Sequence, residues 1–381
     1  SDKLSILPDF SDTEALIGIL IIPLAVQWWS AWYPGAEPGG GGYIAQRMLA
    51  AKNENHAIGA TFFFNIMHYA LRPWPWILVA LASMVVYPDL LSIQSAFPNV
   101  SPDKLGNDLA YSAMLTKLPS GLLGLVLASL GAAYMSTIST HLNWGSSYIV
   151  NDVYKLEIQP NATEKQLVMV GRIATVLLMI ASGFLALTLT NALQLFDIIL
   201  MFGAGTGLIF ILRWFWWRIN AWSEISAMIV SGLLSILFNF GSLGTTFFGG
   251  DGLEGIFPSW AKFPLVVLLT SIVWIAVTFL TSPEKEETLD RFYKQTQPGG
   301  PGWKVQQDKA IAEGQIKFQE WSVPSGILAM ILGAILVYGC MFATGNWIYG
   351  NYTLASGLTL VVIVSGVLLF KVWKTLKKSI L

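Results

Sequence analysis

Apolar residues run along this chain in long blocks with little internal alternation, and short polar stretches separate the blocks. A bilayer core about 30 Å thick asks for roughly 20 mostly apolar residues per helix. Nine blocks meet that length, at about 14–33, 57–87, 119–150, 167–190, 192–216, 223–240, 262–281, 324–343 and 350–372. None shows the period-two alternation of a barrel strand. The pattern predicts an all-α polytopic membrane protein with about nine transmembrane helices. Two longer polar stretches interrupt it. The segment 88–118 is expected to carry a short surface helix near 103–115. The loop 282–322, with "SPEKEETLDRFYKQTQPGGPGWKVQQDKAIAEGQ", is too charged to enter lipid and reads as a linker with some helix.

Composition agrees with the block pattern. Hydrophobic residues make up 54% of the chain and charged residues 12%, which is more apolar surface than a soluble core of 381 residues has to bury. The net charge of −1 gives no footing for a nucleic-acid partner. The single Cys340 excludes an internal disulfide and a cysteine metal cluster. No HExxH, CxxC, GxSxG or Walker pattern is present, so a membrane enzyme finds no support. No signal peptide is visible in residues 1–13.

Charge sets the expected orientation, because cytoplasmic loops collect Lys and Arg. If the first block runs inward, 17 of the 22 basic residues fall on the inner side, including those of the 282–322 loop and Lys371, Lys374, Lys377 and Lys378. The outer side receives Lys3, Lys104, Lys117 and Lys262, and Arg72 stays within a span. The C-terminus is therefore expected in the cytoplasm.

Ionisable groups inside a membrane are expensive and mark functional sites by default. Glu37, His68, Arg72, His141 and Asp197 lie within or at the ends of apolar blocks. Arg72 at mid-depth needs a counter-charge, and Asp197 or Glu37 is the expected partner. A buried structural network explains the same residues equally well.

The first block ends in "QWWSAWYPGAEPGGGGYIAQR", residues 27–47. Pro34, Pro38 and the glycine run break a continuous helix, and such backbone survives at membrane depth only inside protein or beside a water-filled cavity. Broken helices are how secondary transporters offer backbone groups to a solute and an ion. At about 1.5 Å per residue from an outer start, the midplane falls at Trp28 to Tyr33 and the glycines lie toward the cytoplasmic side. A plain re-entrant connection is the alternative.

In the third block, Ala133, Ser136, Thr137 and Thr140 are spaced i, i+3, i+4, i+7 and share one helix face. A hard cation prefers oxygen ligands, which hydroxyls supply without burying a carboxylate. Spacing alone also fits hydroxyls that bond back to their own helix or serve as small contacts.

Three stretches carry a resemblance. "AAYMSTISTHLNWGSSYIVNDVYK" resembles the eighth core helix of the sodium:solute symporter family, with its paired hydroxyls, Asn and Asp-x-Tyr-Lys ending. "GGYIAQRMLAAKNENHA" is similar to that family's Q-R-x-L-A-A-K stretch after the broken sixth helix. "FGAGTGLIFILRWFWWRINAWSEISAM" is similar to the end of its tenth helix and the turn beyond. They occur in family order over most of residues 14–240.

The resemblance implies a LeuT-like fold of two inverted five-helix repeats followed by further helices, with sodium coupled to a small solute in a multi-pass plasma-membrane protein such as one of a bacterial inner membrane. By position it places sodium on the carbonyl of Ala133 and the hydroxyls of Ser136 and Thr137. It places solute contacts or gates at Trp28, Trp29, Trp32 and Tyr33, at His68, and at Gln194 and Asp197. Arg72 joins that group as an intramembrane charge. The chain departs from the family pattern in two ways. "PGAEPGGGG" is longer and richer in glycine than in the sugar carriers. The block at 14–33 also matches the sixth core helix, so the first repeat is missing. Residues 1–13 then form an outer lead-in, 14–217 the second five-helix repeat with its broken first helix, and 218–381 four peripheral helices with the 282–322 loop and a basic cytoplasmic tail.

The sequence thus leads to sodium-coupled symport of a small polar organic solute by alternating access, with sodium as the coupling ion. The partners are the solute, the lipid bilayer, and a first repeat supplied by upstream sequence or a second polypeptide. Abundant aromatics suit a sugar, whereas Arg72 suits a carboxylate. The alternative is a non-transporting sensor or accessory subunit of symporter ancestry.

Overall fold

The computed structural model describes residues 7–29, 41–101, 105–188, 192–239, 257, 259–314, 321 and 323–380. Among them every regular element is helical. Seven helices are long and apolar enough to cross a membrane: α3 (Glu54–Val86), α6 (Ser120–Ile158), α7 (Glu164–Thr188), α9 (Ala221–Asn239), α10 (Lys262–Leu280), α13 (Val323–Ile348) and α14 (Tyr352–Ile380). Two more helices are apolar, α1 (Thr13–Gln27) and α8 (Ala192–Leu212), the latter over Ile198–Leu212. These nine helices fall in the nine apolar blocks, in order, and the chain is an all-α polytopic membrane protein. Short helices complete the list: α2 (Gly41–Leu49), α4 (Leu90–Ala96), α5 (Leu109–Leu115), α11 (Glu286–Thr296) and α12 (Lys304–Ala312).

The packing resolves into two units, residues 74–192 and residues 1–73 with 193–381. In the smaller unit α6 meets α7 where side chains are small. A Cβ on Gly171 would stand 3.5 Å from Val150 and 3.7 Å from Ser146, and Ala174 is buried at the same level. Small residues let two membrane helices approach until their backbones nearly touch. The polar stretch 88–118 folds into α4 and α5, so the expected helix near 103–115 is present and has a companion. Asp89 caps α4 by accepting from Ser92 N at 2.7 Å, and Tyr87, Ile93 and Ala113 bury one another beneath.

In the larger unit, α8 is hydrophobic around its circumference and therefore central. Its sequence "FGAGTGLIF" has a packing reason at two of its three glycines. Gly205 lies against Ser231 of α9 and Thr270 of α10, and Gly207 lies against the indole of Trp29. Ser231 Oγ donates to Phe202 O at 2.7 Å, and Trp29 Nε1 donates to Ala204 O at 2.9 Å. The turn from α8 into α9 is clamped to the end of α10: Asn220 donates to Thr281 Oγ1 and Ser282 O, both at 2.9 Å, and Arg218 donates to Thr281 O at 2.6 Å.

The charged loop is more than a linker with some helix. Helices α11 and α12 bury Leu289, Tyr293, Trp303 and Ala310 against each other. Lys309 bridges Glu286 and Asp290 at 2.7 Å each, and these carboxylates hold its ammonium well above the ordinary lysine range. The pair docks on the α8–α9 turn, where Gly302 O accepts from Trp217 N at 3.3 Å.

In the same unit α13 and α14 form a long antiparallel hairpin, and the part of α3 around Ile66–Leu71 packs on α13. That part is a π-turn, in which Arg72 N donates to Met67 O at 3.0 Å, five residues back. Pro73 follows at once; it has no N–H, and its ring would press on the carbonyl four residues earlier in a regular helix. The widened turn accommodates it.

The α8–α9 contact gives a stability test. Gly205→Val should cost about 1–3 kcal/mol by overpacking and lower the thermal midpoint of the detergent-solubilised chain. Gly183→Ala, where a Cβ meets nothing within 4 Å, should be neutral or slightly stabilising. Equal midpoints for the two variants would show that the close approach at Gly205 does not carry stability.

Candidate functional site

The hydroxyl face of α6 forms a ladder along the helix axis. Thr137 Oγ1 donates to Ala133 O at 2.9 Å, and Thr140 Oγ1 donates to Ser136 O at 2.8 Å. His141 Nδ1 lies 2.9 Å from Thr137 O, so the nitrogen that faces this carbonyl carries the proton. Ser136 Oγ has no hydrogen-bond partner among the described residues. Four turns of α6, residues 127–141, are exposed on every side, including Tyr134 at 67% and Met135 at 66%. The ladder is thus polar, regular and uncovered.

A back-bonded hydroxyl is still a usable ligand. Its oxygen keeps two lone pairs while its proton points at the carbonyl. Ala133 O and Thr137 Oγ1 together offer two oxygens 2.9 Å apart. If the hydroxyl proton swings aside, the same two atoms face one cation. Ser136, one residue before Thr137, adds a third oxygen that no other group occupies.

A second cluster lies in the larger unit, on α3. His68 is half-buried, stacks on Phe64 with ring centres 4.8 Å apart, and meets Tyr69 edge-on at 4.8 Å. Arg72 Nη1 lies 2.8 Å from His68 Nδ1. Arginine has only donors, so Nδ1 accepts; the imidazole is neutral and its remaining N–H is on Nε2. The π-turn sets this geometry by shifting the residues after it around the axis, while His68 and Arg72 remain one turn apart. Both side chains also make further interactions. The expected acidic partners of Arg72 cannot be placed: Glu37 lies outside the described residues, as does the side chain of Asp197.

Trp28 and Trp29 end α1 and touch edge to face, with ring centres 5.3 Å apart. Trp28 is exposed at 53%, whereas Trp29 has its indole N–H on Ala204 O and its ring on Gly207. Trp29 is therefore a structural anchor between α1 and α8, a role that the aromatic cluster in the sequence did not reveal. The paired signal was legible only in retrospect, as a glycine on α8 opposite a Trp. Trp32 and Tyr33 lie outside the described residues, and Gln194 and Asp197 sit on the first turns of α8 with side chains outside them. The structure brings together Ala133, Ser136 and Thr137 on one face, His68 with Arg72, and Trp28 with Trp29.

Comparison with known proteins places these features in a family. The sequence profile of the Sodium:solute symporter family matches residues 15–231, more than half of the chain. Sodium/glucose cotransporter 4 of Danio rerio is 30% identical over 279 residues, 65% of this chain and 40% of that protein. Sodium/myo-inositol cotransporter 2 of Mus musculus is 31% identical over 210 residues, 51% of this chain and 30% of that protein. The sodium/glucose cotransporter of Vibrio parahaemolyticus is 28% identical over 212 residues, 54% of this chain and 39% of that protein. The chain spans less than half the length of these relatives. No solved structure matches it. The profile match extends over α1, α3, α6, α7 and α8 and so includes every residue of the hydroxyl ladder: the chain belongs to the sodium:solute symporter family.

Proposed function

We propose that the chain works in sodium-coupled symport of a small polar organic solute, sugar-like in character, and that α6 holds the coupling ion. The observation that carries this reading is the pairing of Ala133 O with Thr137 Oγ1 at 2.9 Å, with Ser136 beside it. Sodium is a hard cation and takes neutral oxygens well, and these oxygens avoid the cost of a buried carboxylate. The printed names of the relatives, sodium/glucose and sodium/myo-inositol cotransporters, support both the ion and the solute class.

Two or three oxygens from one helix do not complete a cation shell. The remaining ligands come from a first five-helix repeat, carried upstream or by a second polypeptide, which also covers the bare turns of α6. The exposure of residues 127–141 supports this, since hydroxyls and an imidazole are poor neighbours for lipid tails. Transport then proceeds by alternating access, with one bundle rocking against the other around a fixed site. Ion and solute drive each other because each is bound best in a state that the other also favours, a coupling between sites. The neutral His68 offers Nε2–H to a solute oxygen, and Arg72 locks that tautomer from behind. The basic residues at the C-terminal end of α14 and in the 282–322 loop support a cytoplasmic C-terminus.

Removing one neutral oxygen from a cation site costs on the order of 1–3 kcal/mol, and about 1.4 kcal/mol is tenfold in affinity. In the complete transporter, Ser136→Ala and Thr137→Ala should each raise the sodium concentration for half-maximal uptake about tenfold, while Ser139→Ala should leave it within about twofold. Thr137→Ser keeps the oxygen and should be mild; Thr137→Val keeps the shape and should be severe. A ladder that serves only helix packing gives the opposite order for that last pair, and measuring the two side by side decides the matter.

The 381-residue chain alone, reconstituted in liposomes with an inward sodium gradient, should accumulate no labelled glucose or myo-inositol. Co-reconstitution with a first repeat should restore uptake. Gradient-driven uptake by the chain alone would overturn the two-part site.

A further inference from the structure

A large cavity among the described residues lies where α3, α13 and α14 diverge, beside the cluster to which Tyr69 belongs. It has a volume of about 830 Å³. Its walls are mostly apolar, with Ile58, Phe62, Leu336, Val337, Leu369 and Phe370 among them. Along α3 it extends from Asn55 to Pro73. That is about 27 Å at 1.5 Å per residue, close to the depth of a hydrocarbon core. It is formed by absent side chains. Gly59 and Gly333 line it on facing helices; a Cβ at Gly59 would meet nothing within 4 Å, and one at Gly333 would come no closer than 3.6 Å to Phe62.

The two ends of the cavity differ. At one end lie Asn55, from the start of α3, and Trp373, from the last turns of α14. Lys52 precedes Asn55 by three residues, Lys371 sits between the lining residues Phe370 and Trp373, and Lys374 Nζ stands 4.7 Å from the ring centre of Phe370. Lys374 thus stands at this end, and Lys52, Glu54 and Lys371 adjoin its lining residues in sequence. The other end, at Tyr69, Pro73 and Met341, has a single cation beside it in sequence, Arg72, whose Nη1 is engaged with His68 Nδ1 at 2.8 Å. A hydrocarbon groove with a basic, amide- and indole-lined mouth is the shape of an amphiphile whose head is an anion. Lysine side chains are drawn to an anionic lipid surface, and Trp favours the headgroup level.

Size selects among amphiphilic occupants. A helix about 10 Å across and 27 Å long fills roughly 2,100 Å³, far more than the cavity holds. Flexible acyl chains fit, and the volume lies in the usual range for small-molecule sites, about 300–1,000 Å³. We propose that this cavity is a binding site for an anionic phospholipid, with its acyl chains between α3 and α13 and its phosphate at Lys374 and Lys371. With the orientation proposed above, the basic mouth lies at the cytoplasmic leaflet, where anionic lipids reside. The occupied groove joins the α13–α14 hairpin to α3 beside the π-turn that carries His68 and Arg72. The site stands apart from the sodium reading and survives if that reading fails.

Native mass spectrometry of the purified 381-residue chain tests it, with dioleoyl phosphatidylglycerol, phosphatidylethanolamine and phosphatidylcholine titrated in detergent. The wild-type chain should retain one phosphatidylglycerol at collision energies that strip detergent. Gly59→Leu with Gly333→Leu should fill the groove and reduce retention at least tenfold, with helicity and thermal midpoint unchanged; Gly59→Leu alone, entering open space, should give a partial loss and serves if the double variant does not fold. Lys374→Glu should cut the preference for phosphatidylglycerol over phosphatidylcholine at least threefold while chain-dependent retention persists. Equal retention by wild-type and filled chains, no retention above the detergent background, or a photo-crosslinker at Met330 that captures a polypeptide in membranes instead of lipid would each overturn the proposal.

Discussion

A hydroxyl in an apolar surrounding must find an acceptor, and in this chain the acceptor is repeatedly the carbonyl one turn back on the same helix. Thr61, Thr137, Thr140, Thr175, Ser235, Thr278 and Thr359 all bond this way, at 2.7 to 2.9 Å or, for Thr278, at 2.6 Å. Each bond lets a polar side chain sit in a membrane helix without a partner from elsewhere. It also means that a hydroxyl stripe is not, by itself, an ion site. What separates the stripes is their cover. Ser231, Ser235, Thr270 and Thr278 are fully buried between α8, α9 and α10 and act as small contacts. Ala133 to Thr140 face open space and remain available to a ligand.

The same economy of size governs the helix contacts. Where α8 runs through the larger unit, its glycines replace side chains with backbone contact, and Trp29 and Ser231 take the carbonyls that this closeness exposes. Where α3 meets α13, Gly59 is not filled from the opposite helix, Gly333 meets only the edge of Phe62, and a cavity is left. One residue type thus makes a tight joint in one place and an open groove in another. The difference lies in whether a bulky neighbour reaches across. Trp29 reaches Gly207, whereas nothing comes within 4 Å of where a Cβ on Gly59 would stand.

Proline shapes the candidate solute region in a related way. Pro73 cannot donate to the helix, so α3 widens into a π-turn just before it, and the wider turn sets His68 beside Arg72 with Phe64 and Tyr69 around the ring. The arginine fixes the tautomer of the histidine, and an intramembrane charge becomes part of a defined donor pattern in place of an isolated cost. The hydroxyl ladder in one unit and this cluster in the other are each built locally, from spacing on a single helix.

Local spacing is also what the sequence by itself determined. Nine apolar blocks, their order, the all-α class and the hydroxyl face at Ala133, Ser136 and Thr137 follow from hydropathy and a 3.6-residue period, because a bilayer makes each span satisfy its own backbone. The motifs "AAYMSTISTHLNWGSSYIVNDVYK" and "GGYIAQRMLAAKNENHA" were enough to point to the family. Tertiary structure decided everything that depends on neighbours distant in the chain. Only packing shows that Trp29 is bound to Ala204, that the 282–322 loop folds around Trp303 and Tyr293 and docks on the α8–α9 turn, that the hydroxyls of α9 and α10 are covered while those of α6 are bare, and that glycines at 59 and 333 leave room between helices. The physical reason is that burial, cavities and long-range hydrogen bonds are properties of pairs of segments, and no periodicity within one segment encodes which other segment will cover it.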